Sequence, residues 1–342
     1  MKIISLFNHK GGVSKTTTTF NLGWMLAEHG YKTLIVDTDP QCNLTALVLG
    51  YTSIDDAETF YEANPLCDLY TCIQPVLEGT GRLTTGQPLS TSHENLSLLC
   101  GNLKLSEAET QISVALATSA ALPAMRNIPG CIGAQIRQTA TEHGFDYVLV
   151  DMSPSVGALN ECLLMGSDYF IVPTAPDFFC AQAIKSLTSV LPRWNYEVSD
   201  FRNDSFLYPI PSQPPKFLGF ISQKYRPRNG APAKSFQKWI DVIKDEVQKS
   251  LIPALTPIHM TVSYEEFVAH VEMDEPYNLA NISDFNSLIA QSQKHNTPVF
   301  ALTKDQIEQG GTILDNMEES RDGFLRTFDK LAADVHNLSS AV

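Results

Sequence analysis

The 342-residue chain has no Cys-x-x-Cys pair; its seven cysteines stand apart at positions 42, 67, 72, 100, 131, 162 and 180. An odd, scattered set argues against a disulfide framework or a thiolate metal site and fits a reducing compartment. No apolar run reaches the roughly 20 residues that a membrane-spanning helix needs. The apolar residues 3–7 are too short for a signal peptide and run straight into glycines, so a cytoplasmic protein without a membrane partner is expected. Charged residues are few, at 18%, and unbalanced: 24 Lys and Arg face 38 Asp and Glu, a net charge of -14. Such a chain does not coat nucleic acid indiscriminately, and any DNA contact requires a local basic patch. There is no internal repeat and no low-complexity tail.

What is present is enough apolar sequence (43%) for a large core. Apolar runs at residues 2–7, 32–37, 145–151, 169–173 and 216–222 read as buried strands, with a shorter one at 299–302. Helical patterns separate them, the first over residues 16–29. Buried strands spaced by helices predict a doubly wound, mostly parallel α/β sheet with helices on both faces. The expectation is one domain over residues 1–342. It carries a helical and loop insertion at about 51–130 and a C-terminal helical extension at about 303–340. Residues 51–94, rich in Thr, Gly, Pro and acids, are expected to form surface helices and loops. Residues 195–215 read as a long polar, proline-rich loop. Phe324, Phe328, Leu331 and Val335 recur at helical spacing and predict an amphipathic helix over about 318–338 that closes the core.

The densest chemical signal is Lys10-Gly11-Gly12-Val13-Ser14-Lys15-Thr16, between the first strand and the first helix. Glycines let successive backbone N–H groups turn toward phosphate oxygens, and a helix N-terminus adds its positive dipole end. Lys15 is placed to pair with β- and γ-phosphates and the Thr16 hydroxyl to ligate Mg2+. The standard G-x-x-x-x-G-K-[ST] spacing is not kept, because His9 and Ser14 stand at the two glycine positions. A plain glycine turn with surface lysines is the bland alternative. Two acidic segments weigh against it. Asp37-Thr38-Asp39-Pro40-Gln41-Cys42-Asn43 follows the second strand, and Asp151-Met152-Ser153-Pro154-Ser155-Val156-Gly157 follows the third. Carboxylates at the carboxyl ends of parallel strands face the ligand crevice.

Lys10 to Thr17 resembles the deviant Walker A motif KGGxxK[ST]T of the ParA/MinD group of ATPases, closest to ParA-type partition proteins. The two acidic segments are similar to that family's DxDPQxN and IIIDxPPSxG runs, with Ser153 replacing a proline, and residues 173–179 resemble its P-x-x-P-[DE]-[YF]-F segment. The resemblance covers residues 1–50, 145–190 and 216–225. It implies a P-loop fold of the SIMIBI kind and an ATPase with ATP and Mg2+ as its ligands. Gly11, Gly12, Val13, Ser14, Lys15, Thr16 and Thr17 would cradle nucleotide, with Gln223 near the adenine. Thr16, Asp37 and Asp151 would serve the metal, and Asp39 would position or deprotonate the attacking water. Lys10 matches the signature lysine, which in the family reaches the phosphates bound by the opposite subunit of an ATP-bound homodimer. Lys10, Lys15 and Asp39 are thus the implied catalytic set.

The cargo is less legible. Seven basic residues between Lys224 and Lys249 face three acidic ones, a local net charge of +4, with Tyr225, Phe236 and Trp239 interleaved. Lys224, Arg226 and Arg228 are the candidate contacts for nonspecific DNA; an ordinary solvated helix explains the same run. An ATP-driven partition or positioning cycle, stimulated by an unidentified partner protein, is the leading expectation. The alternatives are an ATP-gated scaffold with slow turnover and a MinD-like membrane-cycling ATPase. The latter wants a basic amphipathic terminus, which KLAADVHNLSSAV does not supply. A metal-cluster carrier of the same superfamily would want a cysteine pair.

Overall fold

The computed structural model describes residues 1–50, 54–119, 122–225, 227–228, 231–232, 234–272 and 275–341. β1 (Lys2–Leu6) leads through the glycine loop to α1 (Lys15–Glu28) and β2 (Thr33–Asp37). α2 (Asn43–Leu49), α3 (Ile54–Ala63) and α4 (Leu69–Leu77) follow, then β3 (Leu89–Ser90) and β4 (Leu96–Leu99). Next come α5 (Leu105–Thr118), α6 (Ile128–His143), β5 (Tyr147–Asp151), α7 (Ala158–Met165), β6 (Tyr169–Thr174), α8 (Phe178–Glu197) and β7 (Lys216–Tyr225). A small hairpin, β8 (Pro227–Arg228) with β9 (Ala231–Pro232), precedes α9 (Lys234–Glu246). α10 (Ile252–Leu255), α11 (Tyr264–His270), β10 (Asn278–Ser283), α12 (Leu288–His295), α13 (Lys304–Ile307) and α14 (Gly311–Ala341) complete the order.

Eight strands form the main sheet in the order β10-β7-β6-β1-β5-β2-β4-β3. Every pairing is parallel except that of β3 with β4. β1, β2, β5 and β6 are apolar nearly throughout because both faces of the sheet are covered. From β1 the chain crosses toward β2; from β6 it crosses the other way toward β7. Right-handed crossovers then place α1 and α7 on opposite faces. They also open a crevice at the carboxyl ends of β1 and β6, where the winding reverses. The doubly wound sheet read from the apolar runs is what the chain forms.

Three sequence readings change. Residues 299–302 are not a strand. Val299, Phe300 and Leu302 are buried in a turn, with Phe300 against Phe328 of α14 and the Val299 N–H donating to Asn21. The edge strand is β10, whose NLANIS sequence is too polar to advertise itself. The stretch expected to be surface helices and loops also supplies β3, which pairs with β4 to extend the sheet edge. The long loop after α8 begins only after a short 3-10 turn at Ser199–Phe201, and it buries Tyr208 and Ile210. The Tyr208 hydroxyl accepts from the Leu83 N–H at 2.9 Å. The predicted C-terminal helix forms and is longer than expected; Phe324, Phe328, Leu331 and Val335 are all buried.

The approach of α1 to the sheet depends on Gly23. A Cβ there would lie 2.6 Å from Cγ2 of Ile35 on β2. Gly23→Ala should therefore cost about 1–3 kcal/mol through overpacking, despite alanine's better helix propensity. Denaturant unfolding checks this; an unchanged or higher midpoint would show that the layer yields.

Candidate nucleotide site

Strand register assembles the site. Leu6 and Asp37, the last residues of β1 and β2, both stand beside Asp151, the last residue of β5. The loop after β1 and the acidic turns after β2 and β5 therefore leave the sheet at one level. The loop is pinned by Asn8, whose amide donates to the Pro173 carbonyl at 2.8 Å and accepts from the Lys10 N–H at 3.0 Å. Lys15 opens α1 and is buried, its Nζ donating to the Asn8 carbonyl at 3.1 Å. Burial lowers its pKa, and Asp151 and Asp39 oppose that shift.

The carboxylates differ in environment. Asp37 is fully buried, and its Oδ2 accepts from both the Thr45 N–H and hydroxyl at 2.8 Å, while Oδ1 accepts from the Asp39 N–H at 3.2 Å. Burial still pushes it up to about 6. Asp151 accepts from Thr19 at 3.4 Å and stands near the Thr16 hydroxyl, and its Oδ2 is buried with no partner. Burial first, and then Asp37, push it up to about 8. Asp39 reaches the cleft, with Oδ1 accepting from the Gln41 N–H at 2.9 Å.

The cleft has a volume of about 550 Å³. Residues 11–17, Asp39, Gln41 and Pro154 form one side; Lys224, Asp284, Phe285, Ile289 and Gln293 form the other. A site for Mg2+ fits the phosphate side. Among the described residues no group of three or more His, Cys, Asp or Glu is arranged to hold a metal. A cation arriving with nucleotide phosphates needs only one or two protein oxygens. The unpartnered Asp151 oxygen near the Thr16 hydroxyl supplies that, in a region of carboxylates short of positive charge.

Lys10 does not enter this cleft. Its ammonium is paired with Asp177, which also caps α8 by accepting from the Cys180 N–H at 2.8 Å. Beside that pair Phe178 and Phe179 are 48% and 66% exposed. Gln223 is buried rather than set in the cleft wall, its Oε1 accepting from Thr18 at 2.9 Å. Of the three candidate DNA contacts, Lys224 lies in the cleft wall and donates to the Gly12 carbonyl at 2.8 Å. Arg226 lies outside the described residues, and only the backbone of Arg228 is described. Asp284, Phe285, Ile289 and Gln293 were missed. An Asp at the carboxyl end of an apolar strand is the clue at Asp37 and Asp151, and Asp284 directly follows β10, but that strand's sequence does not mark it as one.

A family model described as an AAA domain matches residues 1–200. The chain belongs to the ParA/MinD family of P-loop ATPases. An uncharacterized protein, MJECL24, of Methanocaldococcus jannaschii is 28% identical over 266 residues, 78% of this chain and 87% of that protein. A probable plasmid-partitioning protein ParA of Thermus thermophilus is 32% identical over 173 residues, 50% of this chain and 44% of that protein. The chain thus spans less than half of this second relative. The fold resembles that of a Cyanothece McdA variant in complex with ATP. The TM-score is 0.60 at 16% identity, covering 94% of this chain and 96% of the other.

Both departures of this ParA/MinD loop from the standard phosphate motif have a physical reading. Ser14 has φ 59° and ψ 30°, the left-handed conformation that glycine usually supplies. Serine meets the geometry at a cost. His9 is half-buried and disfavoured as a cation, first by burial and then by Lys15. Ser14→Gly should raise stability by up to about 1 kcal/mol, since relief of left-handed strain exceeds glycine's extra chain entropy. A lower thermal midpoint for that variant would show that the Ser14 side chain is itself needed.

A pH dependence follows from the carboxylates. Asp37, Asp151 and Glu161, the last pushed up to about 8 by burial and then by Glu197, hold protons in the folded chain where the unfolded chain has lost them. Stability from these groups is full below about pH 4 and is lost as pH rises through about 6 and then about 8. Thermal midpoints measured without nucleotide or metal should therefore fall from pH 5 to pH 8. A rising midpoint would contradict these assignments.

Proposed function

We propose that this chain is a Mg2+-dependent ATPase of the ParA type, which uses ATP to form a homodimer and so to position DNA or another cargo in the cytoplasm. The observation that carries the reading is the convergence, at the carboxyl ends of the central strands, of a buried P-loop lysine with three carboxylates and a helix N-terminus. Residues 11–17 would hold the triphosphate, with Lys15 on its β- and γ-oxygens. Thr16 and Asp151 would hold the metal, which when bound neutralises phosphate charge. Asp37, its oxygens occupied by Thr45 and Asp39, would fix the turn behind them. Asp39, which lines the cleft with one oxygen held by the Gln41 N–H, would orient the attacking water and accept its proton. Gln223, whose side-chain oxygen is held by Thr18, would support the base side through β7 and not by direct contact.

Lys10 is one step from use. In the single chain Asp177 neutralises it, beside the exposed Phe178 and Phe179. Pairing of two copies across this face would cover the phenylalanines and exchange Asp177 for the partner's nucleotide phosphates, adding a cation where negative charge develops. Helix α9, whose three lysines are balanced by three acids, lies on the same side, with Trp239 against Phe178. Lys244 and Lys249 are paired with Glu275 and Asp245, leaving Lys234 and Lys238 exposed as the more accessible DNA contacts. Membrane cycling gains no support from α14, whose apolar stripe is spent on the core. Among the described residues no helix is long and apolar enough to cross a membrane. A stimulating partner protein, and a nucleoid location, belong to the same reading and rest on the kinship with ParA proteins.

Phosphate release, nucleotide binding and sedimentation of variants test this reading. Lys15→Ala should weaken ATP binding at least about 100-fold. Lys10→Ala should bind ATP within about twofold of the parent yet lose roughly 100-fold in turnover and fail to dimerise. Asp39→Ala should form the ATP dimer and hydrolyse roughly 100-fold more slowly. Normal turnover in Lys10→Ala would defeat the two-subunit arrangement, and an Asp39→Ala protein that stays monomeric with ATP would assign Asp39 another role.

A further inference from the structure

The basic run that suggested DNA begins with a residue engaged elsewhere. Lys224 is the penultimate residue of β7, and its ammonium donates to the Gly12 carbonyl of the phosphate loop at 2.8 Å. Its backbone is left-handed, with φ 60°. A non-glycine residue in that region costs about 1–2 kcal/mol, so this is a conformation the surroundings impose. The next residue, Tyr225, accepts from the Asp284 N–H at 2.9 Å. The preceding residue, Gln223, holds Thr18 of α1. Three consecutive residues thus tie the end of β7 to the helix, to the phosphate loop and to the far wall of the cleft.

We propose that Lys224 is a positioning residue for nucleotide, its ammonium bracing the phosphate loop and its alkyl stem forming part of the surface on which base and ribose lie. The proposal rests on the reading of the cleft as a nucleotide site and deepens it. Gly12 has φ 77° and open space where a Cβ would be, so no side chain of its own holds that link in place. A cation fixed on its carbonyl restricts that link before phosphate arrives, and binding then orders less chain. The same charge adds to the positive field of the cradle. Lys224 lines the cleft together with the phosphate-loop residues and with Asp284, Phe285, Ile289 and Gln293. A long aliphatic stem with a charged tip covers apolar ligand surface while keeping its charge solvated.

Two substitutions separate the stem from the charge, and two ligands separate the base from the phosphates. Magnesium ATP and magnesium tripolyphosphate are titrated calorimetrically into the parent chain, Lys224→Met, Lys224→Ala and Lys224→Arg. Lys224→Met keeps a stem and loses the brace, and should weaken both ligands about tenfold. Lys224→Ala loses both, and should weaken ATP a further several-fold while matching Lys224→Met for tripolyphosphate. Lys224→Arg, which retains a donor, should recover most of the affinity. In steady state the KM for ATP should rise in Lys224→Met while kcat stays within about threefold. Parent-like affinities in Lys224→Met and Lys224→Ala would overturn the assignment, and so would Lys224→Arg binding as weakly as Lys224→Met. If DNA binding falls in those variants while ATP binding is unchanged, Lys224 is a surface contact and the proposal fails. A parent chain that binds neither ligand would instead overturn the nucleotide site itself.

Discussion

A lysine taken out of water at the end of a parallel sheet, with Asp39 and Asp151 set around it, is the arrangement to which the rest of the molecule is fitted. Burial disfavours the Lys15 ammonium, and the same burial disfavours Asp37 and Asp151 as anions. Neither set is comfortable alone. Each reduces the penalty of the other, and the shortfall of positive charge on the carboxylate side is what a magnesium ion arriving with nucleotide would supply. This is why the crevice lies where three strands end at one level: parallel pairing makes register absolute, and one residue of slip would carry Asp37 or Asp151 to the opposite face.

The elements around this crevice are tied to it through polar contacts rather than through the core alone. Asn8 links the loop to β6, Thr45 links Asp37 to α2, and Thr18 links α1 to β7. Glu109 of α5 accepts from the Ala158 and Leu159 N–H groups and so caps α7 directly after the second acidic segment. Lys10 and Asp177 form the outermost link, and theirs is a partly exposed ion pair of the kind that contributes little to stability and is easily exchanged.

Much of this was readable along the chain because its physics is local. A buried parallel strand has to be apolar on both faces, so the four central strands appear as unbroken runs. A phosphate cradle needs small or left-handed residues between a strand and a helix, and Gly11, Gly12 and Ser14 satisfy that within seven residues. The carboxylates of residues 37 and 151 declare themselves by ending apolar strands. β10 did not, because as an edge strand it carries Asn278, Asn281 and Ser283 among its apolar residues, with Asn278 buried on hydrogen bonds to Glu275 and Asn281. Residues 299–302 have the composition of a strand, but there the apolar side chains serve a turn capped by the Thr303–Gln306 box that starts α13.

By itself the sequence determined the parallel architecture, the phosphate loop and the family, since all three are written in residues close together or in a fixed order. Tertiary structure alone decided the partners across the chain. Lys10 meets Asp177, 167 residues away, and Lys224 meets Gly12, 212 residues away. It also decided that Gln223 faces α1 instead of the cleft, and that the end of β7, the loop after β10 and helix α12 line the cleft with the phosphate loop. Local pattern encodes which face of an element is apolar. Which side chain stands opposite which charge depends on strand order, and no short stretch of sequence contains that.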